Sequence, residues 1–127
     1  MDSFNAPLDQ ALDALSALAQ PTRLQAFRLL VAAEPEGLAA GALARALTAP
    51  QNTVSAHLGI LTHAGLARGV RRGRLIIYRA DLDRLRAMVL FLVKDCCGSR
   101  PDLCAPLIAD LTPCCSPQEP ADDRKAV

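Results

Sequence analysis

Residues 51–79 read QNTVSAHLGILTHAGLARGVRRGRLIIYR, and the order of patterns within this stretch decides the fold. Val54, Leu58 and Leu61 recur at helical spacing, so they share one face of a helix. Gln51, Asn52, Thr53, Ser55 and His57 are polar and give the same helix a second character. Gly65 is placed to end it as a left-handed cap. The period then changes from helical to alternating. Leu66–Arg71 and Arg74–Arg79 flank Arg72-Gly73, and β-branched residues with a tyrosine around such a pair predict a β-hairpin. A helix that packs one face and offers small polar groups on another can read base edges in a major groove. Arg71, Arg72 and Arg74 at the hairpin tip can reach phosphates or a minor groove beside it.

The flanking sequence supplies the rest of such a domain. Leu8, Leu12, Leu15 and Leu18 predict a first amphipathic helix over 8–19. Gln20-Pro21-Thr22 interrupts it, and Pro21 suits the first position of a second helix, where its missing N–H costs nothing. Leu24, Phe27, Leu30 and Val31 form the apolar stripe of that helix, which stops near Glu34-Pro35-Glu36-Gly37. A short helix over 40–47 carries Leu43 and Leu47, and Thr48-Ala49-Pro50 turns the chain into the helix described above. After the hairpin, Asp81 caps a last helix with Leu82, Leu85, Met88, Val89 and Leu92. Residues 104–112 can form a further short helix, whereas 113–127, rich in Pro, Ser and charge, are expected to be disordered. There is no internal repeat. The expected fold class is mainly α with a small β-hairpin, a winged helix-turn-helix. The expected division is a DNA-binding and dimerisation domain over 1–97, a thiol-bearing effector segment over 98–112 and a tail over 113–127.

Composition agrees with a single small domain. At 127 residues the chain is long enough for one core and short for two. Hydrophobic residues make up 51%, but with three Phe, one Tyr and no Trp the core must be Leu, Ala and Val, which favours helices. The net charge of +1 hides a strong asymmetry: residues 65–94 carry eight basic side chains against Asp81 and Asp83. A basic patch confined to one segment is what a phosphate-binding surface needs. The N-terminus lacks a basic n-region and an apolar h-region, and the run Ala87–Val93 is far below the ~20 residues that span a bilayer. The expected location is the cytoplasm, with no membrane partner.

Four stretches carry a resemblance to a known family: Gln20-Pro-Thr-Arg-Leu-Gln-Ala-Phe-Arg-Leu-Leu30, Gln51-Asn-Thr-Val-Ser-Ala-His-Leu58, Ala64-Gly-Leu66 and Gly73-Arg-Leu-Ile-Ile-Tyr78. Over about residues 8–97 the chain resembles the arsenical-resistance repressor (ArsR/SmtB) family of winged-helix metal and metalloid sensors. The resemblance implies a homodimer joined through the first and last helices, here Leu8–Leu18 and Leu82–Leu92. It also implies an operator with inverted-repeat symmetry, its half-sites ~34 Å apart. The chain departs from the family's best-known member, since Gly41–Leu47 holds no thiol, carboxylate or histidine. The last helix likewise lacks the His/Asp/Glu set of zinc-sensing relatives, because no His follows His63. What remains is Cys96, Cys97 and Cys104, which resembles a subgroup with a vicinal pair and a third Cys shortly beyond.

Those thiols also argue for themselves. Three lie within Cys96–Cys104, beside a helix-stopping Gly98, and thiolates favour soft, thiophilic ions. Neighbouring residues on a regular helix point ~100° apart, so Cys96 and Cys97 can converge only where the helix ends. The Gly98–Asp102 loop, bent by Pro101, can return Cys104 to them. Three sulfurs on one side of an atom suit As(III) or Sb(III), whose lone pair takes the fourth side. Zinc prefers four ligands, and Cys114 with Cys115 could complete a zinc, cadmium or lead site. A disulfide between adjacent residues is strained, so a thiol-redox response is the third reading. A thiol oxidoreductase has little support, because the chain has no Cys-x-x-Cys motif and no phosphate-cradling loop. The chain is therefore read as a non-enzymatic repressor with an inorganic effector and no organic cofactor.

Overall fold

The computed structural model describes residues 6–95 and, beyond them, 102, 105–107, 109 and 110. The chain divides into two units, Met1–Phe91 and Leu92–Val127. The first holds α1 (Ala6–Leu18), α2 (Pro21–Ala32), β1 (Leu38–Ala39), α3 (Ala40–Leu47), α4 (Gln51–His63), β2 (Ala67–Arg72), β3 (Leu75–Ala80) and α5 (Leu82–Leu90). A π-helical turn, Phe91–Asp95, follows α5. The described residues of the second unit beyond that turn are helical, with Leu107 exposed. The fold is mainly helical with a small antiparallel sheet, a winged helix-turn-helix, as the sequence predicts.

Local chemistry explains the breaks. Pro21 cannot continue α1 but opens α2, and the Gln20 side chain accepts the Arg23 N–H at 2.8 Å. Asp81 does the same for α5, its Oδ1 accepting from Arg84 N–H at 3.1 Å. The core gathers Ala26, Phe27 and Leu30 from α2, Leu43 and Ala44 from α3, Val54, Leu58 and Leu61 from α4, and Met88 from α5. Among the described residues no polar or charged side chain is fully buried.

One helix, α1, packs on a face that its leucines do not mark. α1 buries Ala11, Ala14 and Ala17, while Leu8, Leu12 and Leu15 point to solvent. Both stripes repeat every three to four residues, so periodicity cannot tell which faces inward. The alanines win because α2, α4 and α5 all pack on α1, and small side chains permit that close approach. In α2, Phe27 and Leu30 are buried as expected and Val31 packs against the core, while Leu24 is exposed and Ala26 joins the buried face.

The sheet differs from the expected hairpin in two respects. Arg72 pairs with Leu75, so the two-residue turn is Gly73-Arg74, one position later than Arg72-Gly73. Gly73 has φ +63°, and glycine at the first central position matches a twist-compatible hairpin turn. A third strand, β1, pairs with β3 through Leu38↔Tyr78 and Ala39↔Ile77, giving the order β1-β3-β2. Two residues are too few for alternation to reveal a strand. Gly37 leads into it with φ +80°.

An ion pair ties β3 to the end of α2. Arg79 grips Glu34 with both arms of its guanidinium, Nη2 to Oε1 at 2.7 Å and Nε to Oε2 at 3.2 Å. This hydrogen-bonded guanidinium holds the Glu34 carboxyl below its ordinary value of 4.5 and raises Arg79 in turn. A carboxylate with a folded value below its unfolded one stabilises above the unfolded value and loses that contribution as pH falls through the folded one. Acidification below pH 4.5 should therefore lower the urea midpoint of the wild-type protein more steeply than that of Glu34→Gln. Equal slopes for the two proteins would mean that the pair contributes nothing to acid stability.

Candidate nucleic-acid interface

The turn between α3 and α4 sets the start of the helix that carries the candidate base-reading residues. Thr48 adopts φ +52°, the left-handed cap position that glycine usually fills. Its N–H reaches Arg45 O at 3.3 Å, and Ala49 N–H reaches Ala44 O at 3.0 Å. Pro50 then leads straight into α4. Val54, Leu58 and Leu61 are fully buried, which fixes the rotation of α4 about its axis. Gln51, Asn52, Thr53 and Ser55 are all exposed, as a base-reading surface requires. Asn52 Oδ1 accepts from Thr53 N–H at 2.9 Å, an exposed contact between neighbouring residues.

His57 is placed differently from these four. It is half-buried, with Nδ1 3.4 Å from Arg23 Nη1. Arg23 Nε in turn donates to Ala17 O at 2.6 Å. His57 therefore faces α1 and α2 and helps seat the helix. Ala56 and Gly59, which no polar group marks in the sequence, share the outward side of α4. At ~100° per residue they lie with Asn52 diametrically opposite the buried stripe, and both are exposed. A Cβ built on Gly59 would meet nothing within 4 Å, so the helix backbone is open to close approach there. Their 3–4 spacing from Asn52 was the available signal.

The hairpin stands beside α4 as the wing. Arg71, Arg72 and Arg74 are exposed, and among the described residues none of them forms a salt bridge. No acidic residue occurs between Gly65 and Ala80. The α4 helix and the wing thus expose polar and cationic side chains and no carboxylate, together with the apolar Ile60, Leu75 and Ile76.

The far end of α4 is fastened to the start of α5. Gly65 ends the helix with φ +82°, and Arg84 of α5 lies directly over it. Arg84 Nη1 donates to Ala64 O at 3.1 Å, a cation on the negative end of the helix dipole. Asp81 N–H donates to Leu66 O at 2.8 Å. The start of α5 is therefore hydrogen-bonded directly to the segment that ends α4.

Cys96, Cys97 and Cys104, together with Cys114 and Cys115, lie outside the described residues. Among the described residues no group of three or more His, Cys, Asp or Glu is positioned to hold a metal ion. No described helix is long and apolar enough to cross a membrane.

A helical core, a tight helix–turn–helix, an outward polar face and a basic wing define a DNA-binding transcription regulator of the winged-helix class. The helix-turn-helix domain family matches residues 18–70. The chain belongs to the ArsR family of transcriptional regulators. It is 34% identical to the homodimeric winged helix-turn-helix DNA-binding domain of a possible ArsR-family regulator from Mycobacterium bovis, with a TM-score of 0.61 over 73% of this chain and 84% of that one. An ArsR-like regulator from Rhodococcus sp. RHA1 is 26% identical, with a TM-score of 0.64 over 83% of this chain and 94% of that one. A possible transcriptional regulator for arsenical resistance is 31% identical, with a TM-score of 0.56 over 79% of this chain and 97% of that one. No curated protein sequence matches the chain.

Proposed function

We propose that this regulator is a homodimeric cytoplasmic repressor, released from an inverted-repeat operator when As(III) or Sb(III) binds Cys96, Cys97 and Cys104. The observation that carries the reading is the course of α5. Its head is fastened to the end of the DNA-reading helix through Arg84 and Asp81, and its sequence runs through a π turn into the Cys96-Cys97 pair. Three thiolates suit a pyramidal metalloid, which needs no fourth ligand. Thiols must lose protons to bind, so the effector is held less tightly as pH falls.

The dimer has its own support. α1 and α5 pack together, and they expose Leu8, Leu12, Leu15, Leu82 and Leu90. So many leucines on two adjacent helices suit burial against a second copy, and the M. bovis relative is homodimeric. Two copies of the Gln51, Asn52, Thr53 and Ser55 face then read half-sites about one DNA turn, ~34 Å, apart.

The test titrates the fully reduced protein on a labelled duplex that it has selected from a random pool. Arsenite or antimonite should weaken binding by about 5–150-fold, the usual range of an allosteric coupling. Cys96→Ser and Cys97→Ser should bind DNA normally and ignore the metalloid, whereas Cys114→Ser with Cys115→Ser should respond nearly as wild type. Release of the Cys96→Ser protein by arsenite would place the site elsewhere. Release only by zinc, cadmium or lead, or only by a thiol oxidant, would replace the metalloid with that effector.

A further inference from the structure

The wing carries a feature that phosphate contacts do not use. Leu75, at its tip, is 57% exposed, more than any other large hydrophobic residue described, and Ile76 beside it is 41% exposed. Successive strand residues point to opposite faces of the ribbon. Leu75 stands across from Arg72 and Ile76 across from Arg71, so each face of the tip pairs an apolar side chain with a guanidinium. The two apolar groups are not equivalent. Ile76 is seated over Gly69, where an added Cβ would come within 2.8 Å of its Cγ2. Leu75 adjoins the Gly73-Arg74 turn, and its fellow turn residue Gly73 has open space around it.

A single exposed leucine means little by itself. Its surroundings give this one a partner. Arg72 stands across from it, Arg74 precedes it in the turn, Arg71 lies on the opposite face of the same tip, no carboxylate lies between Gly65 and Ala80, and a polyanion is the complementary surface. On DNA, guanidinium groups on both sides of the tip would take the phosphates that border a groove. The minor groove is only ~6 Å wide and admits the tip of a two-stranded ribbon but not its flat side. The apolar side chain nearest the turn, and so the one carried closest to the base edges, is Leu75.

We infer that Leu75 is an apolar wedge, which the wing presses into the minor groove at each flank of the operator to part a base step and bend the duplex. Side chains of this kind unstack steps and kink DNA by ~20–90° in architectural proteins. Pyrimidine–purine steps yield most easily, so the wing selects TA or CA/TG at its position without any hydrogen bond to a base. This inference rests on the DNA-binding reading of the chain and adds a sequence preference outside the contacts of α4.

The experiment uses the full-length reduced protein and the duplex it selects from a random pool. 2-Aminopurine replaces adenine at successive flanking steps, and donor and acceptor dyes label the two ends. The wild-type complex should brighten several-fold at one step per half-site and bring the dyes closer. Leu75→Ser should bind about tenfold more weakly, with unchanged salt slope, no brightening and a straight duplex. Leu75→Met should restore both signals. Arg72→Ala should instead keep the brightening and reduce the salt slope by about one. Circular dichroism confirms folding of each variant, since Leu75 and Arg72 are exposed. A stacked, straight duplex in the wild-type complex, or equal brightening with Leu75→Ser, overturns the wedge while leaving the DNA-binding reading intact. Failure of the wild-type protein to select any duplex overturns both.

Discussion

Gly37→Ala should destabilise the protein by about 3 kcal/mol and lower its urea midpoint accordingly. Gly37 sits at φ +80°, where an L side chain is strained by ~1–2 kcal/mol. The new methyl would also lie 2.6 Å from Tyr78 O and 2.7 Å from Ile77 Cγ2. Tyr78 O belongs to the central strand of the sheet, so it cannot swing aside as a flexible side chain could. Overpacking of that kind adds ~1–3 kcal/mol. Gly73→Ala is the control within the same sheet. Its φ of +63° brings a similar strain, but nothing lies within 4 Å of the added Cβ, so the loss should be about 1 kcal/mol. Equal effects at the two glycines would show that backbone strain alone matters and that β1 does not press on β3. Both comparisons need one fixed protein concentration, because association would shift the midpoint by mass action.

Leu58→Ala should cost about 2–5 kcal/mol, the range for removing a buried leucine from a closed core. Leu58 is fully buried and sits in one core with Leu30, Leu43, Val54 and Leu61. The consequence reaches function because those contacts set the rotation of α4. A cavity beneath the helix frees it to roll, and Gln51, Asn52, Thr53 and Ser55 lose their common aim. DNA affinity should therefore fall along with stability. Gln51→Ala separates the two effects, since an exposed position changes stability by less than ~0.5 kcal/mol while altering base preference. Paired denaturation and DNA-binding titrations decide the matter. If Leu58→Ala lost affinity without losing stability, α4 would be held by something other than its core face.

The metalloid reading and the wedge reading engage different ends of the same domain. One concerns the sequence that follows α5, the other the tip of the wing. In the proposed function, the Arg84 and Asp81 contacts at the end of α4 carry a change in α5 to that helix. An effector shifts the DNA-binding equilibrium only by its differential affinity for the two states. The stiffness of that link therefore bounds how much of the binding energy is passed on.

Much of the architecture could be read from the residues. Pro21 and Asp81 announce helix starts, Gly65 announces a helix end, and Val54, Leu58 and Leu61 identify the inward face of α4. Gln51, Asn52, Thr53 and Ser55 were legible as the outward face for the same reason. His57 was not, because its place depends on Arg23, 34 residues away in sequence. Ala56 and Gly59 are not legible as part of that face, because small apolar residues look inert until the opposite side of the helix is known to be buried.

What the residues determined alone are the properties set by neighbours a few positions apart: helix periods, caps, breaks and the basic hairpin. What only the tertiary structure decided are choices between equivalent local solutions. The leucine and alanine stripes of α1 have the same period, and only three packed helices select alanine for the inside. The hairpin could turn at Arg72-Gly73 or Gly73-Arg74, and the pairing of β3 with both β1 and β2 selects the second. A two-residue strand exists only because β3 offers it unpaired backbone groups. Local sequence sets each element's repeat, whereas inside and outside, register and partnership depend on contacts between segments distant along the chain.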